Sequence, residues 1–139
     1  MFIYLYIKVI MQIIKVTYTN EDIIDYDSFD NISDFNLVSK INCASNKLTS
    51  LPDNMNFPNL HMFDCADNEL TSLPDNMNFP NLQYFCCSNN KLTLLPENMN
   101  FPNLREFLCL GNNLTKEQEL MKLSPQIEEF INRNIYINF

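Results

Sequence analysis

Asn46, Asn68, Asn90 and Asn112 stand 22 residues apart, and the residues around them repeat with them. LPDNMNFPNL occupies 51–60 and again 73–82, and LPENMNFPNL occupies 95–104. A period of about 20–50 residues marks a chain built from stacked supersecondary units. No unit can bury its apolar face alone, so it buries it against its neighbours, and each position becomes a column through the stack. Function in such a chain belongs to the surface that the stack presents.

The unit can be written residue by residue. Leu60-His-Met-Phe63-Asp-Cys65-Ala-Asp-Asn68-Glu-Leu70 has the pattern L-x-x-F-x-C-x-x-N-x-L. Leu82 to Leu92 and Leu104 to Leu114 match it, and Val38 to Leu48 matches with smaller aliphatic residues. This pattern resembles that of the leucine-rich-repeat family, L-x-x-L-x-L-x-x-N-x-L, with Phe and Cys at the second and third apolar positions. The resemblance covers roughly residues 38–134. It implies an α/β solenoid of about five copies, a short right-handed horseshoe with a parallel concave β-sheet. Its convex side is expected to be mostly irregular or 3₁₀, with one helix near the C-terminus. The expected organisation is a capping strand and degenerate first copy over 1–37, the regular copies over 38–114, and a helix, last copy and cap over 115–139.

Short strands are expected near 39–43, 61–65, 83–87 and 105–109, about 4.8 Å apart in a parallel stack. A fifth is expected near 128–132, because Pro125, Ile127 and Phe130 echo Pro102, Leu104 and Phe107 at a displacement of 23. Apolar columns follow: Val38, Leu60, Leu82, Leu104 and Ile127; Ile41, Phe63, Phe85, Phe107 and Phe130; Leu48, Leu70, Leu92 and Leu114; and Phe57, Phe79 and Phe101 on the return side. Burying one such side chain contributes about 1.5–3 kcal/mol. The Asn column is expected to satisfy turn backbone in its own copy and the next, which an apolar residue cannot do.

The return segments carry two prolines each and are too short for a long helix, so extended backbone with a 3₁₀ turn near 53–55, 75–77 and 97–99 is expected. In the last copy Thr115-x-x-Gln118 resembles a capping box and predicts a helix over 116–123, ended by Ser124-Pro125. The chain has one Gly and seven Pro, so Asn, Asp and Pro must make the turns. Residues 1–16 are nearly all apolar but short of the about 20 that span a bilayer, and no cleavage site follows them. From Met11 the residues alternate, with Gln12, Ile14, Val16 and Tyr18 on one side and Met11, Ile13, Lys15 and Thr17 on the other, which suits a strand over the open end of the stack. A leader before Met11 and a membrane or export segment are the alternatives.

The net charge is −8, which disfavours a nucleic-acid partner. Glu21, Asp22, Asp25, Asp27, Asp30 and Asp34 fall in one stretch with no Lys or Arg, a solvated face or a docking site for a basic partner. Cys43, Cys65, Cys87 and Cys109 share one core position. A column at ~4.8 Å spacing spreads four thiols along a line, whereas zinc needs four ligands at one point. Buried reduced thiols are therefore expected, with disulfides between neighbouring copies as the rival. Cys86 has outward parity, which makes it the one candidate reactive thiol.

Alternation sends the remaining strand side chains to the concave face. There Lys40, His61, Met62, Asp64, Tyr84, Cys86, Arg105, Glu106 and Leu108 are the candidate partner-binding residues. Apolar groups rimmed by charge mark interaction surfaces. A Cys86–His61–Asp64 constellation would have neither an oxyanion hole nor a water-excluding pocket, and no phosphate loop, dinucleotide turn or metal motif occurs. The expected role is a non-enzymatic protein–protein interaction module in the cytoplasm, without cofactor, monomeric or weakly dimeric, binding a protein and neither nucleic acid nor membrane. The alternatives are a substrate-recruiting subunit of a ubiquitin-ligase-type complex, since Ser33 to Lys40 resembles the end of an F-box, and a structural remnant without a partner.

Overall fold

A computed structural model describes residues 12–96, 98–114 and 136–138 of the chain. Its described residues form one seven-stranded sheet with almost no helix. The strands are β1 (Ile14–Tyr18), β2 (Ile23–Tyr26), β3 (Val38–Asn42), β4 (Met62–Asp64), β5 (Tyr84–Cys86), β6 (Glu106–Leu108) and β7 (Tyr136–Asn138). Their order across the sheet is β2-β1-β3-β4-β5-β6-β7. From β3 to β7 every neighbour is parallel, while β1 runs antiparallel to both β2 and β3.

The period seen in the sequence is the register of the sheet. Ile41 lies beside Phe63, Phe63 beside Phe85, and Phe85 beside Phe107. All four are fully buried, as are Leu60, Leu70, Leu82 and Leu92. The rings of Phe63, Phe85 and Phe107 stack at centroid distances of 5.6 and 5.4 Å. A second aromatic column, Phe57, Phe79 and Phe101, fills the return side, with Phe79 and Phe101 parallel at 5.8 Å. Edge-to-face contacts join the columns: Phe63 to Phe79 at 6.0 Å and Phe85 to Phe101 at 5.7 Å. Such pairs add about 0.5–1.5 kcal/mol each beyond area burial.

Backbone polarity is settled between copies by side-chain amides. Asn68 Nδ2 donates to the carbonyls of Cys43, Cys65 and Ala66, and its Oδ1 accepts from the N–H of Asn46 and Leu48. Asn90 donates to Cys65, Cys87 and Ser88 and accepts from Leu70 N–H; Asn112 donates to Cys87 and Cys109 and accepts from Leu92 N–H. Asn46, with no earlier copy beside it, binds both backbone groups of Ile13 instead. A second ladder has no counterpart in the expectations. Asn59, Asn81 and Asn103 each donate to a carbonyl 23 residues earlier, those of Asn36, Pro58 and Pro80.

Turns follow the same column logic. Ser45, Asp67, Asn89 and Gly111 occupy one position, and all have positive φ. Short polar side chains tolerate that geometry, and glycine meets it without steric cost. At Gly111 a β-carbon would stand 2.2 Å from Asn89 Oδ1, so the glycine also makes room for its neighbour. Each Phe-Pro-Asn-Leu segment closes a tight turn, with Leu60, Leu82 and Leu104 N–H bonding to Phe57, Phe79 and Phe101 C=O. Proline pre-sets the second position of such a turn and lacks the donor that the turn does not need there.

At the N-terminal end, Ile14, Val16 and Tyr18 are buried and extend the core beyond β3, as the alternation predicts. The segment before β3 contributes two short 3₁₀ turns, Phe29–Asn31 and Phe35–Leu37, and Phe35 packs edge-on against Phe57 at 5.4 Å.

Three expectations need correction. Each inner strand is three residues long and begins one residue later than expected, because the residue after each buried Leu is still leaving the turn. The inner return segments have simple turns at 53–54 and 75–76 in place of 3₁₀ helix, and the expected turn at 97–99 includes a residue outside the described ones. The strand beside β6 is β7: Ile137, and not Phe130, lies against Phe107. The expected strand at 128–132, the helix at 116–123 and any leader before Met11 lie outside the described residues. No helix among the described residues is long and apolar enough to cross a membrane.

Replacing Asn68 by Ala leaves backbone groups of two copies without partners. A loss of about 3 kcal/mol or more in urea unfolding is expected, whereas Asn76→Ala on an exposed turn should change stability by less than about 0.5 kcal/mol.

Candidate functional site

Each strand of the sheet alternates, so the residues flanking the buried aromatic column turn to the opposite, open face. Two columns result. Lys40, Met62, Tyr84, Glu106 and Tyr136 are neighbours along one, and Asn42, Asp64, Cys86 and Leu108 along the other. A flanking row, Ser39, His61, Gln83 and Arg105, is held by backbone bonds: His61 to Ser39, Gln83 to His61 and Arg105 to Gln83, at 2.8–2.9 Å. The sheet thus places Lys40, Met62, Asp64, Tyr84, Cys86, Glu106 and Leu108 on one face, with His61 and Arg105 in the row beside them.

Met62, Tyr84, Glu106, Asp64 and Leu108 are half-buried, while Lys40, His61 and Arg105 are exposed. Cys86 departs from expectation. Its position faces outward, yet its side chain is only 5% exposed. The side chains of Tyr84 and Cys86 interact with each other. Parity gives the direction of a side chain, but a large neighbour one column away can still cover it. Cys86 therefore supports the patch from beneath and does not meet a partner itself.

Asp64 is also committed. Its Oδ1 accepts the N–H of Ala66 at 3.0 Å, as Asn42 Oδ1 accepts that of Ala44 at 3.0 Å. One side chain closes the turn after β3 and after β4, and carboxylate and amide serve equally. His61 makes no side-chain hydrogen bond among the described residues, and the Cys86–His61–Asp64 set forms no hydrogen-bonded chain. Burial raises the Tyr84 hydroxyl well above the ordinary tyrosine range, followed by the Cys86 thiol and then the carboxylates of Asp64 and Glu106. Tyr84 is accordingly a neutral hydrogen-bonding group on a partly apolar surface.

Two further residues belong to the patch. Tyr136 sits beside Glu106 and is 60% exposed, in the place where a displacement of 23 puts Glu129. The signal for it was local: Ile135 to Phe139 is rich in β-branched and aromatic residues, which favours a strand. Leu110, just past β6, is 51% exposed. Leu108, Leu110, Tyr84 and Tyr136 together give an apolar area at the C-terminal side of the sheet, with His61 and Lys40 towards the other side.

The cysteines under this sheet are all free thiols and buried. Cys43 and Cys65 point their thiols at the carbonyls of Asp64 and Cys86, at 3.4 and 3.3 Å. Burial pushes Cys43 up to about 12 and drives Cys65 and Cys87 well above the usual thiol value. Among the described residues no group of three or more His, Cys, Asp or Glu is placed to hold a metal ion. Comparison with protein-family models, with curated proteins and with solved structures returned no match.

Thiol reagent at neutral pH should leave the native chain's cysteines nearly unmodified and label all of them in urea. Rapid labelling of Cys86 in the native state would contradict its burial. Stability should also fall in alkali. Cys43 and Tyr18, the latter raised mainly by burial and then by its 2.6 Å bond to Tyr26, ionise at about 12 when folded, against 9.0 and 10.0 for the ordinary groups. Below about pH 9 both states keep these protons and the contribution is whole; between about 9 and 12 the unfolded chain releases them first, so stability falls. The urea midpoint followed by circular dichroism from about pH 8 to 11 measures it.

Proposed function

We propose that the chain is a leucine-rich-repeat solenoid whose concave face binds a protein partner. The in-register 22-residue copies, the Asn ladder and the parallel order of β3 to β7 support the architecture. The observation that carries the function is the composition of the open face. Met62, Tyr84, Leu108, Leu110 and Tyr136 supply apolar and amphipathic area, while Lys40, Arg105 and Glu106 supply charge among and beside them. A face used only for solvation would be polar throughout, whereas aromatic, Met and Arg side chains are those enriched at protein interfaces.

The proposal is non-enzymatic and uses no cofactor. The rigid sheet presents side chains at fixed spacing, so little order has to be gained on binding. Five reduced thiols suit a reducing compartment, which is why the cytosol is the proposed location. A monomer or weak homodimer fits a stack whose end strands are short. A ubiquitin-ligase recruiting subunit would call for helices ahead of the copies; residues 14–37 carry two strands and two 3₁₀ turns, and no observation favours that role.

Immobilised chain is expected to retain a protein from an extract of its own source cells. The double variant Tyr84→Ala, Leu108→Asp should lose at least about tenfold of that retention, since central aromatic and apolar positions dominate interface energy. Asp75→Asn with Asn76→Ala, on the return side, should retain it fully. Equal retention by the two double variants would count against the concave face.

A further inference from the structure

A cavity of about 250 Å³ opens on the return side of the first copies, away from the open face of the sheet. Phe29, Phe35, Met55 and Phe57 form its apolar walls, and Asp30 and Asp53 stand on its lining. We infer that this cavity receives a lysine side chain presented by a basic peptide. Its volume is below the about 300–1,000 Å³ typical of small-molecule sites, so it suits one side chain and not a whole ligand.

The wall chemistry selects the occupant. Phenyl faces and a thioether accept the aliphatic stem of lysine, and aromatic faces attract its ammonium. The rings of Phe35 and Phe57 meet edge to face at 5.4 Å, which leaves Phe35 48% exposed at the cavity. The two carboxylates supply the counter-charge, and they stand out from their acidic neighbours. Asp22, Asp25, Asp27 and Asp34 each have a side-chain partner, in Asn20, Lys15, Asn31 and Ser33. Asp30 and Asp53 have none among the described residues. The stretch 21–34, which supplies Asp30, holds six carboxylates and no Lys or Arg. A peptide of mixed or acidic charge would be repelled, and a neutral apolar side chain would leave both carboxylates beside it without counter-charge.

The full chain is titrated with a fluorescein-labelled hexalysine peptide by anisotropy at about 150 mM salt. There the screening length is about 8 Å and remote charges contribute little. Saturable binding is expected. Asp30→Asn with Asp53→Asn should weaken it about tenfold or more. Phe35→Leu, which keeps apolar volume and removes the ring, should weaken it about threefold. Asp22→Asn with Asp75→Asn, which removes as much charge outside the cavity, should change it less than about twofold. Equal weakening by the two acidic pairs, or no effect of Phe35→Leu in a variant whose melting temperature is unchanged, would overturn the proposal. So would tighter binding of hexaglutamate, or binding of choline with none of hexalysine. Hexalysine binding should be indifferent to Tyr84→Ala with Leu108→Asp, which separates this cavity from the concave face.

Discussion

One amide per copy holds the structure in register. Asn68 gives and accepts five hydrogen bonds to backbone groups of its own copy and the preceding one. Those groups sit where the chain leaves its strand, and the interior around them is apolar. An unpaired buried amide or carbonyl costs about 1–3 kcal/mol, so copies that slipped by one residue would lose several partners at once. The amides therefore fix the offset between copies, and the offset places phenylalanine on phenylalanine. The aromatic columns add burial, but burial alone is non-directional and would tolerate other offsets. The exposed ion pair Lys91–Glu69, also 22 residues apart, follows from that register and contributes little to it.

Much of this was legible before any coordinates. Buried columns, the Asn ladder and the end strand from Ile14 all follow from spacing and parity, because a strict period leaves each side chain one possible neighbour. Legibility stopped where the period did. β7 lies 30 residues after β6, whereas the echo of Pro102, Leu104 and Phe107 at a displacement of 23 points to Phe130 where Ile137 is found. The Asn59, Asn81 and Asn103 ladder is not legible for a different reason. Asn beside Pro reads as turn chemistry, and nothing local shows that its amide reaches the previous copy.

Of the candidate site, its place on the sheet was legible and its depth was not. Parity put Tyr84, Asp64, Cys86 and Leu108 on one face, and there they are. Whether each is reachable depends on the size of its neighbour in the next column, as Cys86 beside Tyr84 illustrates. The same register that buries one face leaves the other with a fixed grid of side chains, and a grid of mixed apolar and charged groups is the physical basis for proposing a protein partner. Acidic character is concentrated elsewhere, in the segment 21–34 before the first regular copy. The chain thus carries a mixed face on the parallel strands and an acidic segment that begins on the edge strand β2 and reaches the return-side cavity at Asp30.

The most direct test of in-register stacking is contact between phenylalanine rings in solution. With single phenylalanines isotopically labelled in turn, nuclear Overhauser contacts are expected from Phe85 to both Phe63 and Phe107, whose ring centroids lie 5.6 and 5.4 Å away. None is expected between Phe63 and Phe107, which Phe85 separates. A direct Phe63–Phe107 contact, or the absence of both Phe85 contacts in the folded chain, would contradict the stacking on which the fold and the proposed face rest.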